Sequence, residues 1–475
     1  MKKKSSQGIR KVLSALLPLA LAFAMTPVAA FATPTSATDV ADSEVTITGL
    51  LDGDMVSAYL IADADIDATN NLSYTFATNV PAPYNTVDGL TAIASDGNSF
   101  TQGTDMQNAA AAIANAIATG SATASATASG TSATLTLGSG YYLVRVTSTS
   151  GETRVYQNMV VDVSPKAAAG TYAPADDQTL DVKKTDVTVI KTVGANYEPK
   201  TDAYSVGDVV PFKVETVIPN YPADSLNATF VIGDKPTAGL KIDTASIAVA
   251  SADTAGYTLT STTDGYTITF EKDYILAHPG ESITVTYNAT LTSDAFSHSA
   301  TDVTGNTAEV TFNPNPYSNT TVTPDSTTTV QTYGYVFKKV DAAGEPLANA
   351  TFTITLDNGT VLASTSDANG YVWFEDLAAG TYTAKETTVP AGHLKAPDQT
   401  FTLSSTTATA DNPATTDVTE NNYLVAAENV VDPDQPKLPV TGGAGTLALT
   451  LAGVALVGGS LFVICRLARK KNEQL

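Results

Sequence analysis

Apolar and polar residues alternate with period two over much of this chain. Val45 and Ile47 are flanked by polar neighbours, as in a strand with one buried side. The same alternation runs through 134–137, 257–260, 266–270, 283–291 and 308–312, and 142–146, 209–218 and 228–232 read as further strands. These runs are rich in Thr, Val and Tyr, which fit a pleated, half-buried surface. Gly138-Ser139-Gly140 and Asp264-Gly265 predict hairpins, and Asp357-Asn358-Gly359, Asn369-Gly370 and Gly380 mark further turns. One segment has helical spacing instead. Over 105–119, Met106, Ala110, Ile113 and Ile117 form a stripe, with Thr104 or Asp105 to cap its start and Gly120 its end. The Ala, Ser, Thr and Gly of 121–132 predict a mobile loop. So many short strands predict a mainly β chain of tandem immunoglobulin-like sandwiches, with one Ala-rich helix near its start.

Two apolar runs have no such alternation. Lys2, Lys3, Lys4, Arg10 and Lys11 precede the first, 12–24, and Ala30-Phe31-Ala32 offers a small-x-small cleavage site. Residues 1–32 therefore read as a secretory signal peptide. The second run, 447–465, is close to the ~20 residues needed to cross a bilayer. Arg466, Arg469, Lys470 and Lys471 follow it and would stay on the cytoplasmic side. Just before it stands Leu438-Pro439-Val440-Thr441-Gly442, in which Pro439 holds Leu438 extended. Between the two ends the chain divides into 33–178, 180–325 and 333–431. A Thr-rich connector, 319–329, leads into the last of these. An extended stalk with the pentapeptide (432–442) and an anchor with its basic tail (443–475) follow.

Charge narrows the possible partners. The chain has 25 Lys+Arg against 48 Asp+Glu, and removing both processed ends leaves 16 against 47, a net of −31. Such a surface repels nucleic acid, so no nucleic-acid partner is expected. The one cysteine, Cys465, lies in the anchor run. The exported body therefore lacks the usual extracellular staple, the disulfide, and needs either sufficient cores or another covalent bond.

No turnover-enzyme site emerges, and no cofactor or metal is expected. His278, His298 and His393 are scattered without ligand spacing. There is no phosphate-binding Gly loop after a strand and no Gly-x-Ser-x-Gly elbow. Asp63-Ala64-Asp65-Ile66-Asp67 starts like a calcium loop, but Ala68 replaces the turn glycine and Tyr74 stands where the bidentate Glu belongs.

The C-terminal pentapeptide, apolar run and basic tail resemble the sorting signal of sortase substrates in Gram-positive bacteria. That resemblance implies cleavage between Thr441 and Gly442 within the Leu438-Pro439 motif, followed by transfer of the Thr441 carbonyl to an amine. A second resemblance covers 333–431. Phe337-Lys338-Lys339-Val340-Asp341, Pro346-Leu347-Ala348-Asn349-Ala350, Tyr382-Thr383-Ala384-Lys385-Glu386-Thr387 with Pro390-Ala391-Gly392, and Asn429 look like a CnaB-type domain. His393 stands where that family more usually has Tyr. The resemblance implies a Lys339–Asn429 isopeptide bond assisted by Glu386, with Lys338 the neighbouring alternative. Burial would make the lysine a neutral nucleophile and Glu386 a proton donor, and the folded core would supply the proximity.

The middle stretch is similar to the corresponding domain of backbone pilins. Val189-Ile190-Lys191-Thr192-Val193, Asp234 before Gly239-Leu240, and Gly305-Asn306-Thr307-Ala308-Glu309 carry this likeness. It implies a Lys191–Asn306 bond assisted by Asp234, with Lys183 and Lys184 as nearby rivals for Lys191. Finally, Val161-Asp162-Val163-Ser164-Pro165-Lys166 looks like the pilin motif, although Ser164 and Ala167 stand where Tyr and Asn are usual. Lys166 would accept the Thr441 carbonyl of the next subunit. Taken together the chain resembles a major pilin, a structural subunit and not an enzyme in the turnover sense. Its partners would be pilin-type and housekeeping sortases, further copies of itself, minor pilins and peptidoglycan. A wall-anchored monomeric adhesin, or a basal pilin, would carry the same sorting signal.

Overall fold

A computed structural model describes residues 40–94, 105–118, 120–148, 153–250, 254–295, 304–410 and 423–436, together with helical positions 451 and 454–457. The expected signal peptide 1–32, the pentapeptide 438–442 and most of the apolar run 447–465 lie outside the described residues. Among the described residues, no helix is long and apolar enough to cross a membrane. The chain is mostly strand, and it divides into two compact units. One is Met1–Gly334 with Glu375–Gly380 and Leu403–Leu424, and the other is Tyr335–Phe374 with Thr381–Thr402 and Val425–Leu475.

The first stretch holds two cores, one on each face of a central sheet. That sheet orders Leu72–Phe76, Met55–Ile66, Gly140–Thr147 and Met159–Asp162, with Ala124–Thr127 also on Met55–Ile66. One face packs Val56, Val144 and Val161 against Val45, Ile47, Leu135 and Leu137 of a three-stranded sheet. A register shift between Leu60 and Ala62 turns Ile61 and Ala62 to the other face. There they meet Leu90 of helix Val87–Ala94 and Ala109, Ala110 and Ile113 of helix Asp105–Ile117.

Three local readings change. Gly138-Ser139-Gly140 does not close a hairpin. Ser132–Leu137 pairs with Ser43–Thr48, while Gly140–Thr147 pairs with Met55–Ile66. The two runs thus face one core from opposite sheets, an arrangement with the same alternation as a hairpin. Part of the expected loop 121–132 is the strand Ala124–Thr127, whose register comes from its partner and not from apolar side chains of its own. Likewise part of the connector 319–329 belongs to Asp325–Val330, which pairs with Gly305–Phe312, in keeping with the β preference of Thr. Helix Val87–Ala94 has too few turns to stand out by periodicity.

The middle stretch is a sandwich. One sheet contains Val189–Val193, Val209–Val217, Ser282–Leu291 and Leu240–Ile242, and the other includes Asp325–Val330, Gly305–Phe312, Phe230–Pro236, Gly265–Phe270 and Tyr257–Thr262. Phe212, Phe230, Ile268, Val285 and Val310 lie fully buried between them. The Asp264-Gly265 hairpin is present, with Thr262 opposite Gly265. First and middle stretches share one compact unit. Arg145 pairs with the buried Asp224 at 3.0 Å and stacks 3.6 Å from the Tyr317 ring centroid, and Asn158 donates to Asp224 at 2.9 Å.

The last third of the chain forms two four-stranded sheets. One holds Tyr371–Leu377, Tyr333–Asp341, Leu424–Ala426 and Val430–Asp432, and the other Val361–Thr365, Thr351–Thr355, Gly380–Thr388 and Gln399–Leu403. Strand Val430–Asp432 runs parallel to Tyr333–Asp341 and reaches one residue past the boundary expected at 431. Asp63 and Asp65 lie within a strand, and the Asp67 carboxylate accepts the Thr69 and Asn71 N–H groups at 2.8 and 2.9 Å. It therefore organises a turn. Among the described residues, no cluster of His, Cys, Asp or Glu could hold a metal.

Candidate functional site

The candidate residues fall in two buried polar clusters and at one exposed lysine, apart from Asn429 and those outside the described residues. In the middle sandwich Lys191 faces inward from Val189–Val193, and Asp234 and Asn306 face it from the opposite sheet. Their exposures are 3%, 5% and 1%. Lys191 Nζ makes a close ion pair with Asp234 Oδ2 and donates to Tyr287 Oη at 2.6 Å. The Tyr287 hydroxyl donates to Asp234, with both carboxyl oxygens at 2.9 Å, and accepts from Asn306 Nδ2 at 2.7 Å. Thus the three residues expected from sequence meet around a fourth that was not expected.

Aromatic rings keep water away from this cluster. Phe212 stacks on Tyr287 with centroids 5.3 Å apart, and Tyr266 meets Tyr287 edge-on at 5.2 Å. Burial pushes the Lys191 ammonium down and the Asp234 carboxyl up, against their mutual attraction. Both directions favour the neutral pair, a free amine facing a carboxylic acid. Backbone geometry closes the site too. Gly265 has φ +153°, and a Cβ there would stand 2.6 Å from the Asp234 carbonyl oxygen. Hence the glycine of the Asp264-Gly265 turn lets its strand lie against the acid's own backbone.

The third stretch repeats the plan with different parts. Lys339 is fully buried, and its Nζ stands 2.8 Å from Asp432 Oδ1 and donates to the Val430 carbonyl at 3.1 Å. Glu386 faces them from the opposite sheet, beside Phe352, and its Oε2 accepts the Ala396 N–H at 2.7 Å. Burial raises the Glu386 carboxyl and the Asp432 carboxyl raises it further, with Lys339 and the Ala396 amide opposing. A dry pocket and a second carboxyl nearby favour retention of a proton on Glu386. Gly370 has φ +86°, and a Cβ there would meet the Lys339 carbonyl oxygen at 2.4 Å.

The expected partner Asn429 is not part of this cluster. Its side chain is exposed, and the inward position belongs to Asp432, which is fully buried. The physical reason is the pleat. Val430 and Asp432 point inward and Val431 outward, so the functional group arrives on an alternation that begins after Asn429. Lys338, the alternative to Lys339, is only partly buried.

Sequence reasoning missed Tyr287 and Asp432, although each left a trace. Tyr287 occupies an inward position in the series Ile283, Val285, Tyr287, Ala289, Leu291, and a hydroxyl among inward aliphatics needs a polar partner. Asp432 follows two valines in period with the core but resembles the start of the stalk.

Lys166 is placed differently. Val163, Ser164 and Pro165 are buried, and Lys166 is the first exposed residue after them. It opens Lys166–Ala168, which pairs with Thr171–Ala173 across a two-residue turn of Ala169 and Gly170, both at positive φ. Its Nζ pairs with the exposed Asp176 at 3.0 Å, a surface contact of little strength. The amine is therefore held on a short hairpin and remains accessible. Lys183 and Lys184 are also exposed, and neither belongs to the Lys191 cluster. Thr441 and the rest of the pentapeptide lie outside the described residues.

Comparison with known proteins agrees with this architecture. Residues 334–417 match the SpaA prealbumin-like fold domain, and 431–474 match the LPXTG cell wall anchor motif. No curated relative matches the chain. Among solved structures it is similar to the T6 backbone pilin of serotype M6 Streptococcus pyogenes, with TM-score 0.62 and 18% identity over 84% of this chain and 100% of that one. It is also similar to the full-length major pilin SpaD from Corynebacterium diphtheriae, with TM-score 0.50 and 15% identity over 83% of this chain and 98% of that one. At these identities the likeness is one of fold.

Proposed function

We propose that this chain is the backbone subunit of a covalent surface pilus, polymerised by sortases and anchored to peptidoglycan. A pilin-type sortase would take Thr441 as a thioester, releasing the anchor from Gly442 onward. Lys166 of another subunit would resolve that thioester to an amide, and a housekeeping sortase would pass the base of the fibre to the wall. The observation that carries this reading is the presentation of Lys166. An accessible lysine sits at the exit of a buried Val-Ser-Pro segment, in a chain whose far end carries an LPXTG anchor motif.

The buried clusters act as internal staples. In the middle sandwich Lys191 would attack the Asn306 carboxamide with loss of ammonia. In the third domain Lys339 would attack the Asp432 carboxyl with loss of water, and Glu386 would hold and return the proton. These are single events in each molecule, made feasible by contact within a folded core. The staples substitute for the disulfides that the exported body cannot form.

Boiling wall extracts in detergent tests the polymer. The expected outcome is a ladder of multimers reactive with antibody to this chain, because amide links survive denaturation. A single band of monomer size would favour the wall-anchored monomeric adhesin.

A further inference from the structure

We infer that Tyr287 is a catalytic residue of the middle-domain crosslink, its hydroxyl carrying a proton from the attacking Lys191 nitrogen to the departing Asn306 nitrogen. The inference rests on the staple reading above and adds a group that reading does not contain. Forming the new amide requires Nζ to lose a proton and Nδ2 to gain one, since ammonia is a far better leaving group than its anion. Tyr287 Oη lies 2.6 Å from Nζ and 2.7 Å from Nδ2. One hydroxyl thus touches both the atom that must shed a proton and the atom that must receive it.

The step balances without any outside reactant. As the Nζ–Cγ bond forms, Nζ passes a proton to Tyr287 Oη, and the phenol gives its own proton to Nδ2. The Cγ–Nδ2 bond then breaks and ammonia departs, leaving the phenol as it began. Asp234, with both oxygens 2.9 Å from the same hydroxyl, holds that hydroxyl in place during the exchange. Burial and the Asp234 carboxyl hold the Tyr287 phenol well above its ordinary range. It therefore stays protonated and can relay a proton instead of acting as a fixed anion.

The ring is built to hold this position. Tyr287 lies opposite Phe212 in the sheet register and stacks on it with an interplanar angle of 10°, while Tyr266 buttresses its edge. A tyrosine whose only task was to fill space would need one polar partner. This one has three, and all are reacting groups or the acid that serves them. The third domain's cluster uses carboxyl groups alone, and there the leaving group is water.

The test follows crosslinking in time. The full chain is made by pulsed cell-free synthesis, chased, and digested at intervals, and the Lys191–Asn306 linked peptide is quantified against the Lys339–Asp432 linked peptide. Tyr287→Phe keeps the ring stack and removes only the hydroxyl. It should slow the middle bond by about 100-fold or more, in the range of general acid–base assistance, and leave the third-domain bond on its parental time course. Protease resistance of the middle domain checks its fold. If Tyr287→Phe does not fold, 3-fluorotyrosine placed at 287 alone keeps the shape and lowers the phenol pKa. The pH profile of bond formation should then move to lower pH. A Tyr287→Phe chain that crosslinks at the parental rate, or a fluorotyrosine chain with unchanged rate and profile, overturns the relay. A parent chain with no Lys191–Asn306 peptide overturns the middle-domain staple itself, and the relay with it.

Discussion

Asp432→Ala should leave the third domain without its covalent link, whereas Asn429→Ala should leave that link intact. The contrast follows from position. Asp432 stands 2.8 Å from the buried Lys339 amine, and Asn429 is at the surface. The nature of the partner also sets what is lost. A Lys339–Asp432 bond expels water and a Lys191–Asn306 bond expels ammonia, so the parent body should be lighter by one of each. The link closes a loop of roughly 90 residues, which by analogy with disulfides contributes ~4–5 kcal/mol in the chain-entropy model, less any strain. Removing Asp432 also leaves Lys339 buried without its counter-charge, which acts in the same direction. Urea unfolding should therefore show a markedly earlier transition for Asp432→Ala and little change for Asn429→Ala. High-resolution intact mass reads the chemistry directly. A parent body lighter by two ammonias, with one restored in Asn429→Ala and none restored in Asp432→Ala, would return the bond to Asn429.

Lys166→Ala should collapse the wall-extract ladder to monomer. The effect is all or none, because each subunit offers one acceptor amine to the growing fibre and the sortase thioester needs a nucleophile. Wall anchoring should survive, since in the proposed route it would use Thr441 and a peptidoglycan amine and make no use of Lys166. Loss of anchoring in this variant would mean that the substitution acts through folding or export. A ladder that persists would move the acceptor to another exposed lysine, with Lys183 and Lys184 the nearest in sequence. The internal bonds should form normally in Lys166→Ala, because neither cluster includes Lys166.

Much of this was legible before the structure, and the failures share a cause. Alternation within 209–217 or 282–291 states only that one face is buried, and in both places the strands appear where expected. Which strand faces which is a tertiary matter. Ser132–Leu137 and Gly140–Thr147 are joined by a short Gly-Ser step, which reads locally as a hairpin, yet they enter different sheets. Chemistry behaves in the same way. Lys191, Asp234 and Asn306 were identified by motif, and the sandwich brings them together because their strands supply inward positions at one level of the core. Residue type and order point to Asn429. A shift of three residues to Asp432 exchanges an exposed amide for a buried acid. Tyr287 belongs to no motif and becomes visible only when its hydroxyl is found between the other three. The lysines illustrate the general point, since Lys191 and Lys339 are distinguished from their neighbours by burial, whereas Lys166 shares its exposure with Lys183 and Lys184.

The most direct test of the account is the identity of the bond that joins subunits. High-molecular-weight polymer purified from the cell wall is digested with trypsin, and branched peptides are sequenced by tandem mass spectrometry. The account requires a peptide ending at Thr441, joined through its carbonyl to the side-chain amine of Lys166. A polymer linked through any other lysine, or a wall fraction containing no branched peptide from this chain, would contradict it.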